Sequence, residues 1–160
     1  MASRPTTIHA SAVLAGPRAV LIRGPSGAGK SHLALELIEA ARTGHLRFAR
    51  LVGDDRVHLE VFGGRLLVWP AAALAGLLEV RGIGIVPLAY EPSAVVGLVV
   101  DLSGDAERLP EAEKGLAEVE GIRLPRLAVA PSEAALPALL VFLTSLQNGF
   151  GRPEQPHRAL

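Results

Sequence analysis

The chain has 160 residues, enough for one domain with a substantial core. Hydrophobic residues make up 49% of it and charged residues 20%, which is typical of a folded globular protein and argues against a disordered chain. The 16 basic and 16 acidic residues cancel, which argues against a nucleic-acid-binding surface, and the absence of cysteine excludes disulfides, zinc ribbons and thiol catalysis. Because no apolar run approaches the roughly 20 residues of a membrane span and the N-terminus lacks a signal peptide, we expect a cytoplasmic protein without membrane or nucleic-acid partners.

The first half of the chain predicts a strand, a glycine-rich loop, a helix and further strands. The helix follows from apolar residues that recur at i, i+4 and i+7, and the hairpin from two alternating segments that flank Gly63 and Gly64. In chain order we predict a strand at 18–23, a loop at 24–29, a helix from 30 that is capped at 44, a strand at 48–52 and hairpin strands at 56–62 and 65–69.

The second half predicts a mixture of helices and strands. Pro125 indicates an edge strand or a bulge, and Pro137 indicates a kink in the first turns of the last helix. In chain order we predict a helical turn at 74–80, a buried strand at 94–100, a solvated helix at 111–120, a strand at 122–129 and a closing helix at 132–147 with caps at Ser132 and Gly149. Residues 1–149 are therefore expected to form one α/β domain with a β-hairpin insert, and residues 150–160 a frayed tail.

The glycine-rich loop matches the phosphate-binding pattern G-x-x-x-x-G-K-[ST] at every fixed position. Glycines let backbone N–H groups converge on phosphate oxygens, and the following helix N-terminus adds the positive end of its dipole. The lysine reaches the β- and γ-phosphates, and the last hydroxyl can coordinate Mg²⁺. One of only two lysines in the chain occupies this position. The predicted nucleotide-binding residues are Gly24, Pro25, Ser26, Gly27, Ala28, Gly29, Lys30 and Ser31.

Two positions compete for the carboxylate that such a site needs. Asp101 ends the buried strand 94–100 and begins a D-x-x-G sequence, but no Asn-Lys-x-Asp motif follows, which argues against a guanine-specific switch protein. Asp54 and Asp55 end the strand after the phosphate-binding helix. Because neighbouring strand residues face opposite sides, one of this pair could accept a proton while the other orients a partner or the metal. Each aspartate is also an ordinary turn residue, so the sequence leaves the choice open.

Two further features have both a structural and a functional interpretation. Residues 79–85, Glu-Val-Arg-Gly-Ile-Gly-Ile, hold a carboxylate and a guanidinium two residues apart, followed by glycines that permit close backbone approach. A glycine-bulged strand is the structural alternative for this segment. His9, taken alone, is typical of a surface or half-buried histidine.

Together, Thr6-Thr7-Ile8-His9, the loop 24–31 and the segments 52–57 and 78–85 resemble the catalytic domain of the HPr kinase/phosphorylase family, whose members act on a serine of the phosphocarrier protein HPr. The resemblance covers roughly residues 6–149 and is to the short alphaproteobacterial form, which consists of the catalytic domain alone. It implies a P-loop fold like that of phosphoenolpyruvate carboxykinase with a mixed sheet, ATP and Mg²⁺, HPr of the phosphotransferase system as substrate, and a homo-oligomer.

The resemblance also implies residue roles. Lys30 and its loop would bind phosphates, while Ser31 and Glu79 would hold the metal. Asp55 would deprotonate the acceptor serine and return the proton in the reverse reaction, assisted by His9 and Asp54. Arg108, in the nearest match to an Asp-Arg-Leu-Gly motif, would stabilise the transferred phosphoryl group.

The chain departs from the family in the loop at 130–135, which lacks the Arg and Asn associated with phospholysis, and in a shorter segment between 85 and 101. We therefore expect an HPr kinase, and the sequence leaves open whether it also dephosphorylates HPr by phospholysis. Two alternatives stay open: a small-metabolite P-loop kinase that uses Asp101, and a non-catalytic nucleotide-sensing protein.

Overall fold

The structure, a computed structural model, describes residues 4–103, 115–130 and 133–147. The elements within these ranges are β1 (Thr6–Ile8), β2 (Ser11–Ala15), β3 (Arg18–Arg23), α1 (Lys30–Arg42), β4 (Ala49–Gly53), β5 (Val57–Phe62), β6 (Arg65–Pro70), a 3₁₀ turn (Ala72–Leu74), β7 (Leu77–Val80), β8 (Gly84–Pro87), β9 (Ala94–Leu102), β10 (Leu116–Val119), β11 (Ile122–Val129) and α2 (Ala135–Gln147).

The main sheet is mixed and is organised around β9. Its strand order is β1-β5-β6-β9-β3-β2-β4, and β11 pairs with β9 while β10 pairs with β11. Strand β9 runs parallel to β3 and β11 and antiparallel to β6. The hairpin β5–β6 turns at Gly63 and Gly64, both with positive φ, and joins this sheet through β6. The predicted α/β class with a mixed sheet is confirmed.

Each face of the sheet has its own hydrophobic core. On one face, residues of β3 and β9 pack with helices α1 and α2, with Leu33 and Leu37 of α1 fully buried against Leu139. On the other face, Leu21 and Val99 pack among residues of β5, β6, β10 and β11. Because side chains alternate along a strand, neighbouring residues of β9 serve different cores.

The strand directions bring three loops to one edge of the sheet. Strand β2 is antiparallel to both β3 and β4, so β3 and β4 point the same way, and β9 is parallel to β3. The glycine-rich loop after β3, the aspartate pair after β4 and Asp101 near the end of β9 therefore share the carboxyl edge of the sheet. In open α/β sheets this is where ligands bind.

Two sequence predictions are wrong in this structure. The predicted helical turn at 74–80 is a 3₁₀ turn followed by strand β7, because residues 81–83 form a turn that lets β7 pair with β8. The predicted helix at 111–120 contains strand β10, where Ala117 and Val119 are buried and the residues between are exposed, a period of two. Strands β1 and β2 were not predicted at all.

The remaining predicted elements are present, with small differences in their ends. Pro125 lies where β11 changes partner, since residues 122–125 pair with β10 and residues 126–129 with β9. The closing helix begins at Ala135, with Pro137 in its first turn, where a missing N–H removes no helical hydrogen bond. The proposed caps Ser132 and Gly149, and the tail at 150–160, lie outside the described residues.

Candidate active site

The glycine-rich loop joins β3 to α1 and requires glycine at two kinds of position. Gly29 caps the helix with φ 97°, a left-handed conformation that glycine adopts without strain. At Gly24 a Cβ atom would lie 2.7 Å from the carbonyl oxygen of Leu102. The first residue of the loop can therefore pack against the end of β9 only because it has no side chain. The first turn of α1 contains no acidic residue that would compete with an anion for the helix N-terminus.

Lys30 extends along the loop that it follows. Its Nζ donates to the carbonyl oxygens of Gly24, at 2.7 Å, and Pro25, at 3.1 Å. The ammonium group is therefore held at the loop, next to the helix N-terminus. This position places a cation beside the loop, where it can pair with a phosphate tail.

The buried carboxylate of Asp54 faces the loop. Ser31 Oγ donates to it and lies 2.8 Å from Oδ1 and 2.9 Å from Oδ2. Ser11 Oγ donates to Oδ1 at 2.6 Å, and the backbone N–H of Glu79 points to Oδ2 at 3.4 Å. Three different elements, β2, α1 and β7, thus converge on one carboxylate that is only 4% exposed.

The surroundings of Asp54 fit a divalent cation. Among the described residues, no Lys, Arg or His nitrogen lies within 4.0 Å of its carboxylate, so neutral donors alone surround a buried negative charge. Carboxylate and hydroxyl oxygens are the hard ligands that Mg²⁺ prefers. The described chain contains no cluster of three or more acidic or histidine side chains that could hold a metal unaided. Any magnesium at Asp54 and Ser31 would therefore need phosphate oxygens or water as further ligands.

Asp55 differs sharply from its neighbour. It is exposed and has φ 67°, whereas Asp54 is buried. The pair lies in the bend after β4 and not on the strand, and the N–H of Arg56 closes the bend by donating to the carbonyl oxygen of Asp54 at 2.8 Å. A positive φ is strained for most residues but is tolerated by Asp and Asn. The bend thus directs one carboxylate to the loop and leaves the other accessible from solvent.

Asp101, the competing candidate, is engaged by two arginines. Arg23 donates to both carboxylate oxygens, with Nε 2.7 Å from Oδ1 and Nη2 2.8 Å from Oδ2, and Arg126 Nε also donates to Oδ2. Burial by itself raises the pKa of Asp101, but the hydrogen bonds from Arg23 and Arg126 outweigh it and hold the pKa below its usual value. Its neighbours Val100 and Leu102 pack towards the helices, so Asp101 faces the opposite side of the sheet from Ser31.

The other predicted residues are placed as follows. Glu79 contacts Asp54 through its backbone, while its side chain is exposed on the hairpin β7–β8, directly opposite Ile85. His9 is exposed between β1 and β2, and in the described part of the chain it makes no hydrogen bond or ion pair with Asp54 or Asp55. Arg108 lies outside the described residues.

Sequence reasoning missed Ser11, Arg23 and Arg126. In the described ranges, Ser11, Asp54 and Asp101 are the buried polar or charged residues, and all three belong to this edge of the sheet. A hydroxyl inside the otherwise apolar stretch 10–15 was the available signal for Ser11, because such a group is costly to bury without a partner. No local signal identifies the arginines, because their partner is 78 and 25 residues away.

Comparisons with known proteins find a matching family model and several relatives. The family model for the HPr serine kinase C-terminal domain matches residues 2–129. An HPr kinase/phosphorylase of Streptococcus gordonii is 36% identical over 139 residues, covering 78% of this chain and 42% of that protein. One from Clostridium tetani is 42% identical over 90 residues, covering 52% of this chain and 27% of that protein. The chain therefore spans less than half the length of these curated relatives.

A solved structure shares the fold. The HPr(Ser) kinase/phosphatase from Coxiella burnetii superposes with a TM-score of 0.69 and 25% sequence identity, covering 90% of this chain and 99% of that one. No helix in the described ranges is long and apolar enough to cross a membrane.

Proposed function

The chain belongs to the HPr serine kinase C-terminal domain family, and from that membership we propose that it is an ATP- and magnesium-dependent protein-serine kinase whose acceptor is the phosphocarrier HPr. The observation that carries the proposal is the contact of Ser31 with the buried carboxylate of Asp54 beside the phosphate-binding loop. A loop of this type binds phosphates in many enzymes, whereas a hydroxyl–carboxylate pair at its end is suited to a metal–nucleotide complex.

Lys30 and the loop N–H groups bind the phosphate chain of ATP in this proposal. Ser31, Asp54 and Glu79 hold magnesium, directly or through its water ligands. Bound magnesium would neutralise negative charge on the β- and γ-phosphates. Phosphoryl transfer depends mostly on positioning and charge neutralisation, and these residues supply both from rigid elements at one sheet edge.

Asp55 acts as the general base. Its exposed carboxylate can meet a serine that arrives from solvent on another protein, as Asp54 cannot. As the serine Oγ attacks the γ-phosphorus, its proton passes to the Asp55 carboxylate, the new O–P bond forms and ADP leaves with the electrons of the broken P–O bond. His9 assists from the turn before β2. It is two residues from Ser11, so the Cα atoms of the two lie within about 7 Å of each other. Arg108 remains a proposed stabiliser of the transferred group.

The reverse reaction is expected to be weaker. Relatives carry the name HPr kinase/phosphorylase, but the loop at 130–135 has neither the arginine nor the asparagine that the family resemblance associates with phospholysis. The proposal also includes one catalytic domain at residues 1–149, assembly into a homo-oligomer and action in the cytoplasm. None of the described contacts favours the metabolite kinase, since Asp101 is already paired with arginines.

The test combines the purified protein with Mg-ATP and HPr and locates phosphate by mass spectrometry. Phosphoserine on HPr is expected, and Lys30→Met should abolish it. Asp55→Asn should retain the fold, because asparagine also tolerates positive φ, and should retain nucleotide binding. Its transfer rate should fall about 100-fold or more, the usual contribution of a general base. Glu118→Gln, which changes an exposed carboxyl on β10, is the matched control and should transfer at the wild-type rate.

Two results would contradict the kinase proposal, and a third would contradict only the role of Asp55. ATP binding without phosphoserine under any condition would favour the nucleotide sensor. Phosphate on a small alcohol, with HPr unmodified, would favour the metabolite kinase. Full activity in Asp55→Asn would remove Asp55 from the general-base role while leaving the kinase itself in place.

A further inference from the structure

Ser11 is a buried hydroxyl with one charged partner. The residue lies at the start of β2 with no exposed surface, and its Oγ donates to Oδ1 of Asp54 at 2.6 Å. Its neighbours Ala10 and Ala12 pack in the core on the other face of the sheet, so the Ser11 side chain faces the helix-covered side, where Asp54 meets Ser31. A buried hydroxyl is costly without a partner, and the bond to the Asp54 carboxylate supplies that partner.

The bond restricts how the carboxylate can turn. A carboxylate has about four acceptor positions, two on each oxygen. Oδ1 receives the short bond from Ser11, whereas Oδ2 receives the distant N–H of Glu79 at 3.4 Å. The single proton of Ser31 Oγ is within reach of both oxygens. Ser11 thus holds Oδ1 against β2. Oδ2, which lies beside Ser31, is left with the weaker hydrogen bonding of the two oxygens.

We propose that Ser11 is a positioning residue that orients Asp54 for a magnesium–nucleotide complex, acting through the carboxylate and touching neither metal nor substrate. This inference rests on the proposed function, because it assumes that Asp54 and Ser31 face the metal. Without the Ser11 hydroxyl, only Ser31 and the distant N–H of Glu79 restrain rotation of the carboxylate about its Cβ–Cγ bond, and the orientation of Oδ2 towards the metal is lost part of the time. Groups that orient metal ligands in this way typically change metal affinity 10- to 100-fold when removed.

The experiment measures the affinity of the full chain for a non-hydrolysable ATP analogue, with excess Mg²⁺ and with EDTA, by calorimetry. The ratio of the two affinities reports the metal contribution without any turnover. Ser11→Ala should lower the affinity with Mg²⁺ about 10-fold and leave the affinity in EDTA within twofold of wild type. Ser11→Cys, which leaves no cavity and keeps a weak donor, should give an intermediate loss and serves if the alanine variant folds poorly. Thr144→Ala removes a hydroxyl bonded to a helix carbonyl away from the site and should change neither affinity.

The outcomes separate this inference from the function on which it rests. If wild type gains affinity with Mg²⁺ and Ser11→Ala gains as much, Ser11 does not position Asp54 and the inference is overturned while the kinase proposal stands. Equal losses with and without Mg²⁺ would show a general structural role and would also overturn it. A wild-type protein with no magnesium dependence at all would refute the metal site and the proposed function together.

Discussion

Replacing Asp101 by asparagine should damage stability and spare nucleotide binding. The carboxylate receives hydrogen bonds from Arg23 and Arg126 and ties together β3, β9 and β11. Asparagine has nearly the same shape but no charge, and it offers one acceptor oxygen where two arginines need partners. The variant therefore leaves two guanidinium groups close together without their shared counterion.

The expected decrease in the free energy of unfolding is about 2–3 kcal/mol. Removing one partner of a fully buried ion pair costs about 3–5 kcal/mol. Here the carboxylate and Arg126 side chains are each 11% exposed, but the Arg23 side chain is 33% exposed and can be solvated, which lowers the cost. For a domain of this size, that loss corresponds to a decrease in Tm of roughly 5–10 °C.

Urea unfolding followed by circular dichroism gives the free energy of unfolding of the Asp101→Asn variant. Calorimetry with the ATP analogue gives its nucleotide affinity, which should stay within twofold of wild type. A double-mutant cycle with Arg126→Met tests whether the ion pair is the cause. Arg126→Met should lower the free energy of unfolding less in the Asp101→Asn variant than in wild type. Glu118→Gln is again the control for loss of a carboxyl. Wild-type stability combined with lost magnesium-dependent binding would refute this reasoning and identify Asp101 as the metal ligand.

Three further results are expected. Because the pKa of Asp101 is lowered by folding, its contribution to stability is present above the unfolded aspartate pKa of about 3.9 and is lost as pH falls through the folded pKa. The stability difference between wild type and Asp101→Asn should thus be constant above about pH 5 and shrink below pH 4 in urea titrations, and a difference that stays constant would contradict the ion pairs. Gly53→Ala would place a Cβ 2.7 Å from Val57 Cγ1, beside Asp54, so it should cost about 1–3 kcal/mol and weaken magnesium-dependent nucleotide binding, whereas Gly115→Ala meets nothing within 4 Å and should do neither. Leu37→Ala, in the core between α1 and the sheet, should lower the free energy of unfolding by about 3 kcal/mol, against little change for the exposed Val141→Ala, and equal effects would contradict the assigned core.

The elements that the sequence predicts well are those specified by residues close together in the chain. The phosphate-binding loop follows from its glycines and lysine, and the hairpin β5–β6 from Gly63 and Gly64 between alternating segments. The sequence predicts a helix at β10 because the acidic residues of the segment 111–120 conceal a period of two that extends over only four positions. Strands β1 and β2 were missed because they are short and depend on distant partners, β5 for one and β3 and β4 for the other.

The sequence by itself determined that a phosphate-binding loop exists and that Asp54, Asp55 and Asp101 follow strands from which they could serve it. It could not choose among them, because all three occupy chemically suitable positions at strand ends. The tertiary structure gives these aspartates different surroundings. Strand pairing turns Asp54 towards Ser31 on the helix-covered face and turns Asp101 towards two arginines on the opposite face. Which face a side chain occupies depends on register with strands far away in the sequence, and that register is set only when the whole sheet assembles.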